Sequence, residues 1–551
     1  MTQTELARTL RTVRHLRASQ LWGQLRLRLR GPRGPVAFDG APPELAIGAP
    51  AAPFLGAPAH AFTDGWRRFR LLHREVVFGD RPDWDFVGEG PLWAYHLHQF
   101  DHARRTSLAP EARRALLLDW IARHESGVGW EPGPISLRCF SWIKLLLTRG
   151  ALPKDPERHE AIRRSLASQL TTLADRLETH LLANHYFSNL AALVFAGLAF
   201  EGAPARSWLA HEAAFRGQLD EQVLADGAHC ERSPMYHSLL LEHVLDLLNV
   251  ATAPSARAPS ALVSHLREAA SRMLGALAVL THPDGGIALF GDSAHGIAHS
   301  PAALGAYAKR LGVDARGPAR AGCLDRAGFV RLERGPFVLI ASVAGPLPEH
   351  QPGHAHCDAL SFELSVGRDR VVTDTGVYEY VPGALRDLSR ATRSHATLEV
   401  GGVEQAEVWA AHRVGGRPQV SLVAYEPGLA AEATCAGWST RDSVHRRRFT
   451  LSEAAVEIAD ALEGRTRPVR MQLPLAPGLE PKLEGARAHL RLPSGGWLRL
   501  DLPAGLPWTI ERAPSFPEFG RREERAVLVA AASHLERCTW RLSLPERRVP
   551  R

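Results

Sequence analysis

Residues 360–365 read Leu360-Ser361-Phe362-Glu363-Leu364-Ser365, apolar and polar in strict alternation. Successive side chains leave a strand on opposite faces, so this is the pattern of a half-buried strand. Phe337 to Val343 and Val371 to Val377 read as further strands. Leu490-Arg491-Leu492, a Pro-Ser-Gly-Gly turn and Trp497-Leu498-Arg499-Leu500 read as a hairpin. Before about residue 310 the period changes. Leu240, Val244 and Leu248 step by four, with Leu241 and Leu247 beside them, which marks an amphipathic helix face. Similar patterns run over 156–180, 187–200, 206–224 and 259–280. The fold class this predicts is a multidomain α+β chain, helical first and an antiparallel β-sandwich after, with the split at 310–325. The succession of helices predicts a closed or solenoid helical layer, and the Pro-rich stretch 31–58 reads as loop or linker.

The polar sequence just upstream of that strand carries the chemistry. Gly353-His354-Ala355-His356-Cys357-Asp358 places two histidines at i and i+2, on one face of a strand. Asp374 follows eighteen residues after His356, and His395 twenty-one after that. This is the spacing of groups that neighbouring strands bring to one site. Three more polar clusters interrupt the helical half. Asn184-His185-Tyr186-Phe187-Ser188-Asn189 opens an apolar helix, where Asn is a good N-cap. Asp226 to His237 contains His229, Glu231, Arg232, Ser233 and Tyr236, more ionisable and aromatic groups than capping by Ser233 requires. His282-Pro283-Asp284-Gly285-Gly286, with Gly291-Asp292-Ser293 after it, reads as a turn.

The composition sets the limits. At 551 residues, with 45% hydrophobic and 23% charged, the chain is an ordinary globular protein with a large core. Its six cysteines are scattered without a CxxC pair, so neither a zinc ribbon nor a disulfide scaffold is indicated. The net charge of +7 suits an anionic polymer, but no nucleic-acid module is recognisable, so no nucleic-acid partner is expected. The first twenty residues lack the apolar core of a signal peptide, and no segment is long and apolar enough to span a bilayer. That favours a cytoplasmic location, with the periplasm as the alternative. Arg8, Arg11, Arg14 and Arg17 recur every three residues, and Leu25 to Arg30 alternates Leu and Arg. This stretch reads either as a helix packed on the body behind it or as peripheral contact with an anionic membrane.

Taken in order, Asn184 to Asn189, Gly227 to Tyr236, Gly291-Asp292-Ser293, Gly353 to Asp358, Thr373-Asp374-Thr375-Gly376 and Arg393-Ser394-His395-Ala396-Thr397 resemble the heparinase II/III family of polysaccharide lyases. The resemblance implies an (α/α) toroid followed by an antiparallel β-sandwich. It divides the chain into a basic N-terminal helix and Pro-rich linker (1–58), a toroid (59–315) and a heparinase II/III-like sandwich (316–551). The implied activity is β-elimination at a uronic acid in an acidic polysaccharide. A base removes the proton on C5, the 4-O-glycosidic oxygen leaves, and a neutralised carboxylate lets charge spread. Carried over by position, Asn184 neutralises the carboxylate, Tyr236 is the catalytic acid and perhaps base, and His354 stands opposite it. His356, Asp374 and His395 match a zinc site that holds strands together. No organic cofactor is implied.

His185, Glu231, Arg232, Arg390 and Arg393 are candidate substrate-binding groups, the arginines as bidentate donors to carboxylate or sulfate. Ala396 departs from the family's usual Asn. Two other readings compete: a non-catalytic polysaccharide-binding or assembly protein with a lyase fold, and a metallohydrolase. The second has only a partial metal motif, with Ala359 where a final His belongs.

Overall fold

The computed structural model describes residues 3–30, 34–318 and 321–544. Its helices are α1 (Gln3–Val13), α2 (Ala18–Arg30), α3 (Pro91–Gln99), α4 (Pro110–Arg123), α5 (Pro132–Leu147), α6 (Pro156–Asp175), α7 (Ala183–Ala199), α8 (Ala203–Leu209), α9 (Glu212–Gln222), α10 (Pro234–Ala251), α11 (Ser260–Val279), α12 (Pro301–Arg310) and α13 (Ala384–Arg390). Proline opens many of them, where its missing N–H is not needed and its φ is already helical. Asp155, Ser233 and Ser300 cap α6, α10 and α12 by accepting from a backbone N–H three residues on.

The helices form two layers. α3 packs on α5, α5 on α7, α7 on α10 and α10 on α12. Outside them α4 packs on α6, α6 on α8, and α9 on α11. The inner helices are apolar nearly all round, as helices covered on every side must be. In α7 every residue from Asn189 to Ala199 is buried. The pattern of successive helices left a closed or a solenoid layer open; the two layers are the (α/α) toroid that the family resemblance implies. The stretch 206–224, read as one helix, bends at Ala210–His211 into α8 and α9. The bend lets Trp208 reach Phe200 and Phe215 reach Phe187, both on or beside α7. Inside the range expected to be toroid (59–315), ahead of α3, residues 62–77 form a small three-stranded antiparallel sheet that the helical reading missed.

From Cys323 onward the chain is antiparallel sheet. An eight-stranded sheet and a four-stranded sheet enclose one apolar core with a five-stranded sheet of residues 323–372. The predicted hairpin is Arg487–Arg491 paired with Trp497–Asp501. Phe337–Ser342 is buried at every residue because both of its faces are covered. Leu339 and Ala341 enter the sandwich core. Val338 and Ile340 pack against Ala276, Val279 and Leu280 of the toroid. Arg232 fastens the same junction. Its guanidinium donates to the carbonyls of Ala327, Gly328, Ala344 and Gly345 and to Ser342 Oγ.

Two strand expectations are corrected. His354 and His356 lie on a loop, not a strand, and of Val371–Val377 only Val371 and Val372 are strand, as the end of Asp369–Val372. Beyond it the pairing is reduced to single bridges, Val372 with Leu475 and Gly376 with Phe516. Arg525 donates to the carbonyl oxygens of Thr373 and Asp374.

Candidate active site

A cavity of about 650 Å³ opens between the two halves. Asn184 and His185 reach it from the start of α7, Tyr236 from the start of α10, and His354 from the loop before Phe362–Val366. Gly90 and Pro91 at the start of α3 and Gly133 at the start of α5 also line it. Inner-helix N-termini therefore converge on one opening, and their dipoles favour an anion there.

Asp292 organises the centre. His354 Nδ1 lies 2.8 Å from Asp292 Oδ2, and His356 Nε2 lies 2.9 Å from Oδ1. Arg386 grips both oxygens with two N–H groups, one of them 2.8 Å from Oδ2. All of Asp292, His356 and Arg386 are buried. Burial alone would raise the Asp292 pKa; the Arg386 charge and the two histidine contacts hold it well below the usual carboxylate range. An ionised Asp292 keeps the proton of His354 on Nδ1, leaving Nε2 as the acceptor in the cleft. The approach is close. Gly291 has φ +57°, and a Cβ there would come 2.7 Å from the His354 carbonyl, which accepts from Asp292 N–H.

Tyr236 stacks on His354, with ring centroids 4.0 Å apart. The two therefore stand side by side and not across a sugar-wide gap. The Tyr236 hydroxyl is 3.1 Å from that of Tyr380. Burial pushes the Tyr236 pKa up, so the phenol keeps its proton at neutral pH. Ser233 fixes its position: Ser233 Oγ caps α10 at Tyr236 N and donates to Asp292 O at 2.7 Å. On the other side, Asn184 Nδ2 lies 3.0 and 2.9 Å from the Glu231 oxygens and 3.3 Å from His354 Nε2. Leu182 and Ala183 both take positive φ, so the backbone turns sharply to deliver Asn184.

Of the predicted substrate-binding residues, only His185 lines the cleft. Its Nδ1 is 3.1 Å from Glu178 Oε1. Burial works against charge on His185, but the Glu178 carboxylate outweighs it and raises the pKa. Glu231 is 1% exposed, accepts from Asn184 Nδ2 and does not line the cleft. Arg232 is spent on the domain junction described above. Arg390 donates to the carbonyls of Ala355, Ala410, Ala411 and Arg413 and braces the histidine loop. Arg393 is exposed on a short 3-10 turn outside the cleft.

His356, Asp374 and His395 come together as expected, with one ligand atom from each within 4.8 Å of the others. His395 Nδ1 is 2.8 Å from Asp374 Oδ2. His356 Nδ1 and His395 Nε2 are buried with no hydrogen-bond partner. Two unpartnered imidazole nitrogens beside a buried carboxylate fit a zinc ion in donor type and number.

Asp292, Arg386 and Tyr380 were missed as site residues. The Gly291-Asp292-Ser293 block was visible, but its turn-like composition concealed a buried carboxylate. Arg386 and Tyr380 lie in sequence with no distinguishing pattern.

The comparisons with known proteins agree with this fold. The family model "Heparinase II/III N-terminus" matches residues 165–308, and "Heparinase II/III-like, C-terminal" matches 316–544. The chain belongs to the heparinase II/III family of polysaccharide lyases. A crystal structure of heparinase III superposes with a TM-score of 0.66 at 18% identity, covering 85% of this chain and 80% of that one. The heparan sulfate lyase HepC from Pedobacter heparinus superposes with a TM-score of 0.56 at 18% identity, covering 90% and 82%. At that identity these two establish the fold. FtsZ-localized protein C of Caulobacter vibrioides is 26% identical over 506 residues, spanning 86% of this chain and 83% of its own.

Proposed function

We propose that this protein cleaves a uronate-containing acidic polysaccharide by β-elimination. The supporting observation is the meeting of Asn184, Tyr236 and His354 on one cleft, with Asp292 behind His354. His354 Nε2 takes the C5 proton. The C5–H pair forms the C4–C5 double bond, the C4–O bond breaks, and the Tyr236 hydroxyl gives its proton to the leaving oxygen. Asn184 turns to the uronate carboxylate the amide hydrogen that lies 3.3 Å from His354 Nε2 without substrate, the other staying on Glu231, and His185, whose pKa Glu178 raises, lines the same cleft. After proton transfer the imidazolium of His354 lies between Asp292, at 2.8 Å, and Glu231, at 3.6 Å.

The cleft also favours a class of polymer. Among the described residues lining it, the Lys and Arg side chains are already paired. Arg74 lies 3.4 Å from Glu379, Arg104 2.9 Å from Asp101, and Lys144 3.2 Å from Glu242. Paired cations give little attraction to dense sulfate, so the reading is a polymer whose charge lies mainly on carboxylates. The test is incubation with alginate, polygalacturonate, hyaluronan and heparan sulfate while recording unsaturated-uronate absorbance. Growth of that absorbance with an unsulfated polymer supports the proposal. New reducing ends without it would rule out elimination and favour hydrolysis.

His356, Asp374 and His395 would hold one zinc, whose role is to tie together the loop before Phe362, the end of Asp369–Val372 and the segment before Leu398. Elemental analysis of purified protein is expected to give close to one zinc per chain, and chelation to lower the thermal midpoint. Protein that purifies without zinc and whose midpoint is unmoved by added zinc would remove the ion from the site.

A further inference from the structure

We infer that the N-terminal helical pair is a docking surface for an anionic lipid bilayer. Half of the exposed large apolar side chains among the described residues lie in α1 and α2: Leu6, Leu10, Val13, Leu21, Trp22, Leu25, Leu27 and Leu29, eight of sixteen. Scattered exposed apolar residues are ordinary; this concentration is not.

The orientation of α1 is the second observation. It packs on the sandwich through its polar side. Arg11 Nε donates to Glu407 at 2.7 Å, Arg8 lies over the Trp409 ring at 4.5 Å, and Trp409 Nε1 donates to Thr12 at 3.1 Å. Leu6, Leu10 and Val13, spaced four and three apart, are thereby left on the outer side. A helix whose only role was to cover the body would present the opposite face.

α2 behaves likewise. Gln20 and Gly23 are its buried residues. Gln20 Nε2 donates to Leu181 O of the toroid at 3.3 Å and to His350 O of the sandwich half at 3.2 Å. Gly23 rests on His180, where a Cβ would come within 2.9 Å. Trp22, 64% exposed, and Leu29, 75% exposed, project away.

Charge selects the occupant. From Arg8 to Arg30 there are seven arginines and no carboxylate. Arg14, Arg26 and Arg28 are exposed beside the apolar residues. Leucines and a tryptophan flanked by arginines match the two terms that hold an interfacial helix, apolar insertion and attraction to acidic headgroups. α1 and α2 are 11 and 13 residues long, and no described helix is long and apolar enough to cross a membrane, so the pair lies on the surface. Because Gln20 bonds to both halves, docking would fix the orientation of the whole molecule.

The test is co-sedimentation of the full chain with phosphatidylglycerol–phosphatidylcholine vesicles and with phosphatidylcholine alone. Binding is expected to the acidic vesicles only and to weaken as salt rises. A variant carrying Leu6→Ser, Leu10→Ser, Trp22→Ser and Leu25→Ser is expected to bind at least about tenfold more weakly with an unchanged thermal midpoint. Arg26→Gln with Arg28→Gln, which keeps every apolar residue, is expected to reduce binding and its salt dependence. Wild-type protein that ignores acidic vesicles, or serine and glutamine variants that bind as wild type does, would overturn the inference. So would a wild-type dimer, blind to vesicles, that the serine variant converts to monomer; the face would then belong to a second copy.

Discussion

Tyr236→Phe is expected to lower the elimination rate by about 10²–10⁴-fold, the usual contribution of one positioned proton donor. The substitution removes a single oxygen. The ring keeps its stacking on His354, whose centroid is 4.0 Å away, and the cap from Ser233 acts on the backbone of Tyr236, which does not change. Folding and polymer binding should therefore survive. The phenol is protonated at neutral pH, as an ordinary tyrosine is, and burial disfavours the phenolate further. In the proposed reaction it would meet the leaving oxygen as an acid, while His354, 2.8 Å from Asp292, would meet C5 as the base. The lost hydroxyl also leaves Tyr380 without its 3.1 Å neighbour. Tyr380→Phe separates the two contributions, since it keeps the acid and removes only that neighbour, and it should cost far less. Steady-state rates on the polymer that the absorbance panel identifies give the readout. A Tyr236→Phe protein that works at the wild-type rate would remove Tyr236 from the reaction.

The sequence was most informative where periodicity was the cause of structure. The helical half and the sheet half were separable because a period near four and a period of two bury different faces. Asn184, Tyr236 and His354 stood out because polar, aromatic and ionisable side chains broke apolar patterns, and the fold brings the three to one cleft. The arginines were misread for a physical reason. Arg232 and Arg390 carry the same forked guanidinium as a substrate-binding arginine, but here the fork meets backbone carbonyls at the domain junction and behind the histidine loop. Nothing local tells those two uses apart. Asp292 was hidden by its neighbours: Gly291 and Ser293 look like a turn, and only long-range packing shows that Gly291 is small to admit the His354 carbonyl. The outward apolar face of α1 was equally illegible, since either side of an amphipathic helix can be the one that docks on the body.

Arg386→Leu is expected to destabilise the protein by roughly 3–5 kcal/mol, because breaking a buried pair strands the remaining charge. Arg386 and Asp292 are both fully buried, and the guanidinium meets both carboxylate oxygens. Leucine fills part of the space but supplies no donor, so Asp292 keeps only its two histidine contacts. Elimination should fall as well, since the carboxylate that sets the His354 tautomer loses its anchor. Arg386→Lys tells charge from geometry. Lysine restores a positive charge but not the fork, so it should recover part of the stability and little of the rate. The measurements are denaturant unfolding with rates on the same samples. An Arg386→Leu protein that unfolds at the wild-type midpoint would mean that Asp292 is not held as an ion. The assignment of His354 as the base, which depends on that ion fixing its proton at Nδ1, would fail with it.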